Sequence, residues 1–292
     1  MQKDACSSVQ IVCSDLIDGL ISMFNNKMIP ILTTPAGSCL TANNWQEAGV
    51  QCVSYYLSCL LIKPGLAYLK TLPEWKHYSG WDGDWVLNAS MPAPNAKGQY
   101  VFRSPFDGAK VLCSTEDIVE VILHLKPQQI ILSEGFDVTS DEDWHQLSTI
   151  TRLFVPAQEQ GRYLNRPIHG LYYNIENTQD IATMIGKHQA NHPDLDYYVA
   201  CRATQSSEAN IESDQPAKDA CSGIVYCSDG KIDLREKIYA TQFERIDSAC
   251  DCTTCEQQFT RAYLHHVLEH TPLLCQRFLI QHNIKFFRND AP

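Results

Sequence analysis

The sequence has few basic residues for the number of acidic ones, and this imbalance bears on the class of its partners. Its 292 residues include 23 Lys and Arg against 34 Asp and Glu, a formal net charge of −11. Proteins that grip a nucleic-acid backbone usually present a basic surface, because neutralised phosphates supply much of the affinity. The acidic total therefore disfavours tight RNA binding by this chain alone, although it does not exclude a local basic patch.

Long apolar segments are also lacking. The longest apolar run, around Val53–Ile62, contains Ser and Tyr and is too short to span a bilayer. No N-terminal segment combines a basic start, an apolar run and a small-residue cleavage site, so secretion is not expected. These absences predict a cytoplasmic protein without a membrane segment.

Several nucleotide and hydrolase signatures are missing. The sequence has no Walker A loop, no dinucleotide fingerprint, no nucleophile elbow and no fixed-period repeat. It does have thirteen cysteines, an odd number, and most of them are scattered through apolar stretches. In a reducing compartment such cysteines are expected to be small core residues rather than disulfides.

One group of cysteines is different, because Cys250, Cys252 and Cys255 lie within six residues. Closely spaced thiolates suit the tetrahedral shell that Zn²⁺ prefers, and they lower the chain entropy lost on coordination. A fourth ligand must then come from the segment that follows. The candidates there are His265, His266, His270, Cys275 and His282.

The rest of the chain alternates between strand-like and helix-like segments, which favours an α/β fold with a parallel sheet. The predicted strands are Met28–Thr33, Gln51–Tyr56, Trp85–Leu87, Gln129–Leu132, Pro167–Tyr172 and Tyr197–Cys201. The predicted helices are Thr41–Ala48, Ser114–Leu125, Glu142–Phe154 and Thr178–Gln189.

The segments after these elements lead toward the cysteines. Gln205–Lys218, rich in Ser, Glu, Asp and Pro, is typical of an exposed loop. Ile224–Cys227 and Lys231–Leu234 flank Asp229-Gly230, which predicts a β-hairpin. From Glu256 onward the pattern becomes helical.

The chain resembles the tRNA-guanine transglycosylases, also called queuine tRNA-ribosyltransferases. The resemblance is most specific near the C-terminus and thinnest over Glu134–Glu208. The stretches that carry it are Cys250–Cys255, Thr260–His266, Gln281–Asn283 and Asp229–Tyr239, with Lys63–Gly65, Trp81–Gly83, Phe102–Ser104 and Asp107–Gly108 upstream.

The resemblance implies a (β/α)8 TIM-like barrel, complete or incomplete, over residues 1–223. A hairpin, a Cys3His zinc subdomain and a closing helix then follow over residues 224–292. It aligns the family's zinc histidine with His282, so that Cys250, Cys252, Cys255 and His282 would hold a structural zinc ion. Family members exchange guanine in a tRNA for a 7-deazaguanine base. A carboxylate nucleophile attacks the ribose, and a second carboxylate transfers protons.

Two substitutions fall on those carboxylate positions. Asn88 stands where the family has its proton-handling Asp, and an amide cannot act as a base at neutral pH. The paired glycines of the family's base pocket become Ser90 and Met91, whose side chains fill space. Glu212 takes the position of the nucleophilic Asp and is one methylene longer, with Asp214 as a nearby substitute.

Two further residues are candidates for binding a base. Asp137, after the strand Gln129–Leu132, is a candidate for the guanine-reading Asp, and the alternative is a surface-loop carboxylate. Tyr173 is a candidate for stacking on a base, although a large aromatic residue at such a position is more often core.

Three hypotheses follow, of which the third is a zinc-stabilised scaffold with no role on RNA. In the first, the chain is a catalytically impaired transglycosylase relative that acts as a binding or partner subunit, similar to the non-catalytic subunit of the eukaryotic queuine-inserting heterodimer. In the second, it is an active tRNA-ribosyltransferase that uses Glu212 as its nucleophile. The partners implied are a tRNA and either a catalytic transglycosylase subunit or a second copy of this chain.

Overall fold

The structure is a computed structural model that describes residues 28–138, 140–174, 194–200 and 210–289. The strands are β1 (Met28–Ile29), β2 (Cys52–Tyr56), β3 (Asp84–Asn88), β4 (Gln99–Arg103), β5 (Lys110–Ser114), β6 (Gln129–Ile131), β7 (Arg152–Pro156), β8 (Gly170–Asn174), β9 (Asp196–Ala200), β10 (Asn210–Glu212), β11 (Ile224–Cys227) and β12 (Gly230–Asp233).

Helices separate most of these strands. They are α1 (Ala42–Glu47), α2 (Leu57–Leu60), α3 (Leu66–Leu69), α4 (Trp75–Ser79), α5 (Thr115–Leu125), α6 (Asp141–Ile150), α7 (Gln215–Cys221), α8 (Thr253–Glu256), α9 (Arg261–His270) and α10 (Pro272–Asn289). Short 3-10 helices cover Gly37–Cys39, Ala157–Tyr163 and Lys237–Thr241, and a π turn covers Leu61–Gly65.

Eight strands form one sheet in the order β1-β10-β9-β8-β7-β6-β3-β2, and every pairing in it is parallel. The sheet is curled so that its two edge strands, β1 and β2, approach each other. The chain just after β1 forms hydrogen bonds with β2. There the amide of Ser54 donates to the carbonyl oxygen of Pro30 and the amide of Leu32 donates to that of Ser54, both at 2.9 Å. Two antiparallel pairs, β4-β5 and β11-β12, lie outside this sheet.

The two faces of the curled sheet carry different side chains, because successive residues of a strand point to opposite faces. The outer face packs against helices in the large core. The inner face forms a small separate cluster of Ile29, Val86, Ile131, Phe154, Tyr172 and Tyr198. The inside of the sheet is therefore filled with side chains, and the polar residues Asn88 and Glu212 lie at the carboxyl ends of their strands.

The α/β class and the parallel sheet are confirmed, and two predictions on the elements are wrong. The predicted helix Glu142–Phe154 ends at Ile150, and its apolar end is strand β7. The predicted loop Gln205–Lys218 contains β10 and most of α7. The predicted helix Thr178–Gln189 lies outside the described residues.

The C-terminal hairpin is confirmed as β11 and β12. The helical pattern from Glu256 resolves into α9 and α10, which are separated at Thr271. Helix α10 contacts α7, α9, α8 and β11, so it packs the C-terminal hairpin and helices against the helix that follows β10. Among the described helices, none has the length and apolar character needed to cross a membrane.

Candidate functional site

The two positions that align with the family's carboxylates meet inside the curled sheet. Glu212 and Asn88 are the last residues of β10 and β3, which are not neighbours in the sheet. The Asn88 side-chain amide donates to Glu212 Oε2 at 2.6 Å, and the Ser54 hydroxyl on β2 donates to Glu212 Oε1 at 2.6 Å. Both carboxylate oxygens of Glu212 are thus held by side chains from two other strands.

The orientation of the Asn88 amide is set by Ser90. The Ser90 backbone N–H donates to Asn88 Oδ1 at 2.9 Å, and its hydroxyl donates to the same oxygen at 2.5 Å. Because the backbone N–H is an unambiguous donor, Oδ1 must face Ser90 and the amide nitrogen must face Glu212. Ser90, Asn88, Glu212 and Ser54 therefore form one hydrogen-bonded chain, which we call the Glu212 network.

Three members of the Glu212 network are buried, and Ser90 is half-buried. Glu212 is 1% exposed, Asn88 is 2% exposed and Ser54 is fully buried. Burial raises the pKa of Glu212 from 4.5 to about 7, and the bonds from Ser54 and Asn88 oppose this shift only in part. At neutral pH this carboxyl group is held in place and lies close to its own titration point.

This pKa gives a testable pH dependence. Because the pKa is higher in the folded than in the unfolded chain, its stabilising contribution is complete below pH 4.5 and is lost as pH rises through about 7. Relative to Glu212→Gln, wild-type protein should lose on the order of 3 kcal/mol of unfolding free energy across that window. Denaturant unfolding from pH 5 to 8 measures most of the difference.

The control for this measurement is Glu134→Gln, since Glu134 is exposed. Its pH profile should match that of the wild type. Parallel profiles for wild type and Glu212→Gln would show that Glu212 has the same protonation behaviour in the folded and unfolded chains.

Two residues of this region, Ser54 and Tyr172, are not among the site residues predicted from the sequence. The Asn88 amide nitrogen lies 3.5 Å from the Tyr172 hydroxyl, which also faces the interior. The alternation of side chains along a strand could have identified Ser54, because it is a polar residue between Val53 and Tyr55, which point to the outer face.

The other candidates lie elsewhere. Tyr173 follows Tyr172 on β8 and points to the outer face, where it is buried in the large core. Asp137 lies after β6 and pairs with Arg166, its carboxylate 2.7 Å from the guanidinium. Asp214 lies just before α7 and pairs with Lys218 at 2.8 Å. The structure does not bring these three residues into the Glu212 network.

A cleft of about 600 Å³ opens beside the network, between the segment after β3 and the β4-β5 hairpin. Ser90 and Met91 line one wall, and Tyr100, Phe102 and Arg103 line the other. Asn88 and Glu212 are not part of its lining, so the carboxyl group does not face this cleft.

The predicted metal ligands form a second site. Cys250, Cys252, Cys255 and His282 are buried, and their ligand atoms all lie within 4.8 Å of one another. The three sulfur atoms are 3.6, 3.3 and 3.4 Å from His282 Nδ1. The cluster can hold a metal ion with protein ligands at four positions.

A hydrogen bond fixes the imidazole of His282 in the tautomer that can bind a metal through Nδ1. His282 Nε2 lies 2.6 Å from the carbonyl oxygen of Tyr226 on β11, so it donates its N–H there and leaves the Nδ1 lone pair toward the sulfurs. The other candidate ligands, His265, His266, His270 and Cys275, are not part of the cluster. Cys275 instead donates to the Leu264 carbonyl oxygen at 3.4 Å, and His265 Nδ1 lies 2.7 Å from that of Leu234.

Comparison with known proteins gives consistent matches. Residues 211–290 match the family model described as "Queuine tRNA-ribosyltransferase". A queuine tRNA-ribosyltransferase of Thermoanaerobacter sp. (strain X514) is 37% identical over an alignment that is 337 positions long. The alignment covers 98% of this chain and 89% of that protein. The protein of the same name from Thermotoga petrophila is 22% identical over 311 residues, covering 88% and 83% of the two chains.

A shorter stretch is more similar. The queuine tRNA-ribosyltransferase of Lawsonia intracellularis is 39% identical over 74 residues, a quarter of this chain. The family model covers the end of β10, including Glu212, and all four residues of the Cys3His cluster. With 37% identity across nearly the full length of both chains, this protein belongs to the queuine tRNA-ribosyltransferase family.

Proposed function

We propose that this chain takes part in queuosine modification of tRNA as a member of its family that does not itself exchange the base. It acts as a binding or partner subunit of a catalytic transglycosylase. Family membership supports the link to tRNA, and the acidic charge of −11 favours a partner over a protein that holds tRNA alone.

The observation that supports this proposal most strongly is the burial and hydrogen bonding of the Glu212 carboxyl group. A nucleophile must approach the reacting carbon to about 3–3.5 Å along an open path. The Glu212 carboxyl group is 1% exposed, and both of its oxygens accept hydrogen bonds of 2.6 Å. To attack a ribose it would have to break both bonds and leave the interior of the sheet.

The substitutions around Glu212 support the same conclusion. With Asn88 in place of the family's Asp, the neighbour of Glu212 is a hydrogen-bond donor that cannot take up a proton at neutral pH. Ser90, in place of a family glycine, holds the donating side of that amide toward Glu212. Three departures from the family pattern thus join in one network, which gives Glu212 a structural role.

We propose that the metal cluster holds a structural zinc ion. Zinc lies about 2.3 Å from sulfur and about 2.0–2.1 Å from nitrogen, so tetrahedral geometry separates a sulfur and a nitrogen ligand by about 3.6 Å. The sulfur–Nδ1 distances of 3.3–3.6 Å fit this value. Cys250, Cys252, Cys255 and His282 would fill all four positions, so the ion would join the segment Cys250–Cys255 to α10.

For the fold, we propose that the eight parallel strands form a TIM-like barrel over residues 1–223, with the subdomain 224–292 closing it. The hydrogen bonds between Ser54 and the chain after β1 support closure. Glu212 and Asn88 lie at the carboxyl ends of their strands, where TIM barrels place their functional residues. A cytoplasmic location fits this role and stays a prediction.

The partner role can be tested with purified components. When the chain is mixed with a catalytic queuine tRNA-ribosyltransferase subunit of the same cell, sedimentation should detect a complex. Incorporation of base into tRNA should rise several-fold over the catalytic subunit alone, and an unrelated acidic protein at the same concentration serves as the control. A catalytic subunit that sediments alone and works at an unchanged rate would contradict the proposal.

A further inference from the structure

Two cysteines outside the metal cluster lie side by side, although 182 residues separate them in sequence. The sulfur atoms of Cys39 and Cys221 are 3.9 Å apart. Cys39 is exposed, and Cys221 is half-buried at the end of α7. A disulfide bond is about 2.05 Å long, so the two sulfur atoms need to approach by about 1.9 Å.

The backbone on the Cys39 side is held in place. Cys39 ends a 3-10 turn that begins at Gly37, whose N–H donates to the Thr34 hydroxyl at 3.1 Å. A Cβ atom at Gly37 would lie 1.9 Å from the carbonyl oxygen of Ile31, so the turn is pressed against the chain that follows β1. The Cys39 thiol donates to the Pro35 carbonyl oxygen at 3.3 Å, a weak bond that rotation would break.

The Cys221 side is also held. The backbone carbonyl oxygen of Cys221 accepts a hydrogen bond from the Gln276 side-chain amide of α10 at 3.4 Å. The Gln276 side-chain oxygen in turn lies 4.0 Å from the Cys39 sulfur. The two thiols therefore meet where the turn after β1, helix α7 and helix α10 come together.

We propose that Cys39 and Cys221 form a reversible disulfide when the protein meets a small-molecule disulfide oxidant such as oxidised glutathione. The exposed Cys39 thiolate attacks one sulfur of the oxidant and releases one glutathione thiolate, giving a mixed disulfide. The Cys221 thiolate then attacks the Cys39 sulfur and releases the second glutathione. Two protein thiols are oxidised, one glutathione disulfide is reduced to two thiols, and the two protein protons pass to solvent or to the released thiolates.

This order follows from the surroundings of the two thiols. Burial and the neighbouring Cys39 raise the pKa of Cys221 to about 12, so Cys221 is mostly protonated at neutral pH. Solvent reaches Cys39 first, and Cys221 is placed to resolve the adduct. The bond would tie α7, which begins three residues after Glu212, to the turn after β1.

The test is oxidation of the zinc-bound full chain with glutathione disulfide, followed by alkylation and peptide mapping. The expected result is a Cys39–Cys221 linked peptide that a phosphine reductant removes, and a melting temperature that rises by several degrees, because closing so long a loop restricts the unfolded chain. Zinc content, measured on the same sample, should not change.

Variants sharpen the result. Cys39→Ser should give no link. Cys221→Ser should retain glutathione on Cys39, and the control Cys59→Ser should link as the wild type does. Wild-type protein in which Cys39 carries only glutathione, or is linked to another cysteine, would overturn the proposal.

Discussion

Replacing Cys252 with serine is expected to abolish zinc binding and to lower the melting temperature by about 10 °C or more. Cys252 is buried, and its sulfur lies 3.3 Å from His282 Nδ1 and accepts the backbone N–H of Cys255 at 3.3 Å. The cluster joins the loop before α8 to α10, which packs on α7, α9 and β11. Without the ion, His282 is no longer tied to the three cysteines, and the packing of α10 on α7, α9 and β11 becomes less stable.

Cys275→Ser is the matched control for this prediction. Cys275 is equally buried and was itself a candidate ligand by sequence, but it donates to Leu264 instead of joining the cluster. A serine hydroxyl can replace that hydrogen bond, so this variant should keep its zinc and most of its melting temperature. Zinc measured by mass spectrometry, with thermal unfolding on the same samples, decides the matter. A Cys252→Ser protein that holds zinc and melts with the wild type would refute the structural site.

The cluster that can hold a metal ion could be predicted largely from the sequence, because most of its residues are close together along the chain. Three of its ligands lie within six residues, and the fourth was chosen among five candidates by resemblance to a family. Spacing alone could not make that choice. What selects His282 is the packing of α10 against β11, where the Tyr226 carbonyl oxygen orients the imidazole.

Strand β10 illustrates what the sequence could not predict. Its residues Asn210–Glu212 lie in a stretch rich in Ser, Glu, Asp and Pro, which is typical of an exposed loop. They form a strand because β1 and β9 flank them on both sides, and the carboxylate of Glu212 finds two donors inside the sheet. Tertiary pairing overrides the local preference here.

The Glu212 network depends on contacts between distant parts of the chain. Glu212 lies 124 residues after Asn88 and 158 after Ser54. From the sequence, Asn88 and Glu212 are predicted to be substitutions of family carboxylates, and Ser90 is predicted only to fill space in the base pocket. Only the curled sheet places all of them in one hydrogen-bonded chain.

The second large effect concerns the chemistry itself. We expect the purified, zinc-bound chain to incorporate guanine into tRNA no faster than the Glu212→Gln variant does. The Glu212 carboxyl group is buried with both oxygens bonded, and the amide of Asn88 cannot serve as a base. Misplacement of a reacting group by about 1 Å can cost about a hundredfold in rate, and here the proton-transfer group is absent as well.

The most direct test of this account is incorporation of labelled guanine into bulk tRNA by the purified chain alone, beside Glu212→Gln and a catalytic member of the family. The account predicts that wild type and variant both stay at the background of the assay, while the catalytic relative labels the tRNA. Incorporation by the wild type that Glu212→Gln abolishes would contradict it, because Glu212 would then be a working nucleophile. Incorporation that survives Glu212→Gln would contradict it too, because another group, with Asp214 the nearest candidate along the chain, would carry the reaction.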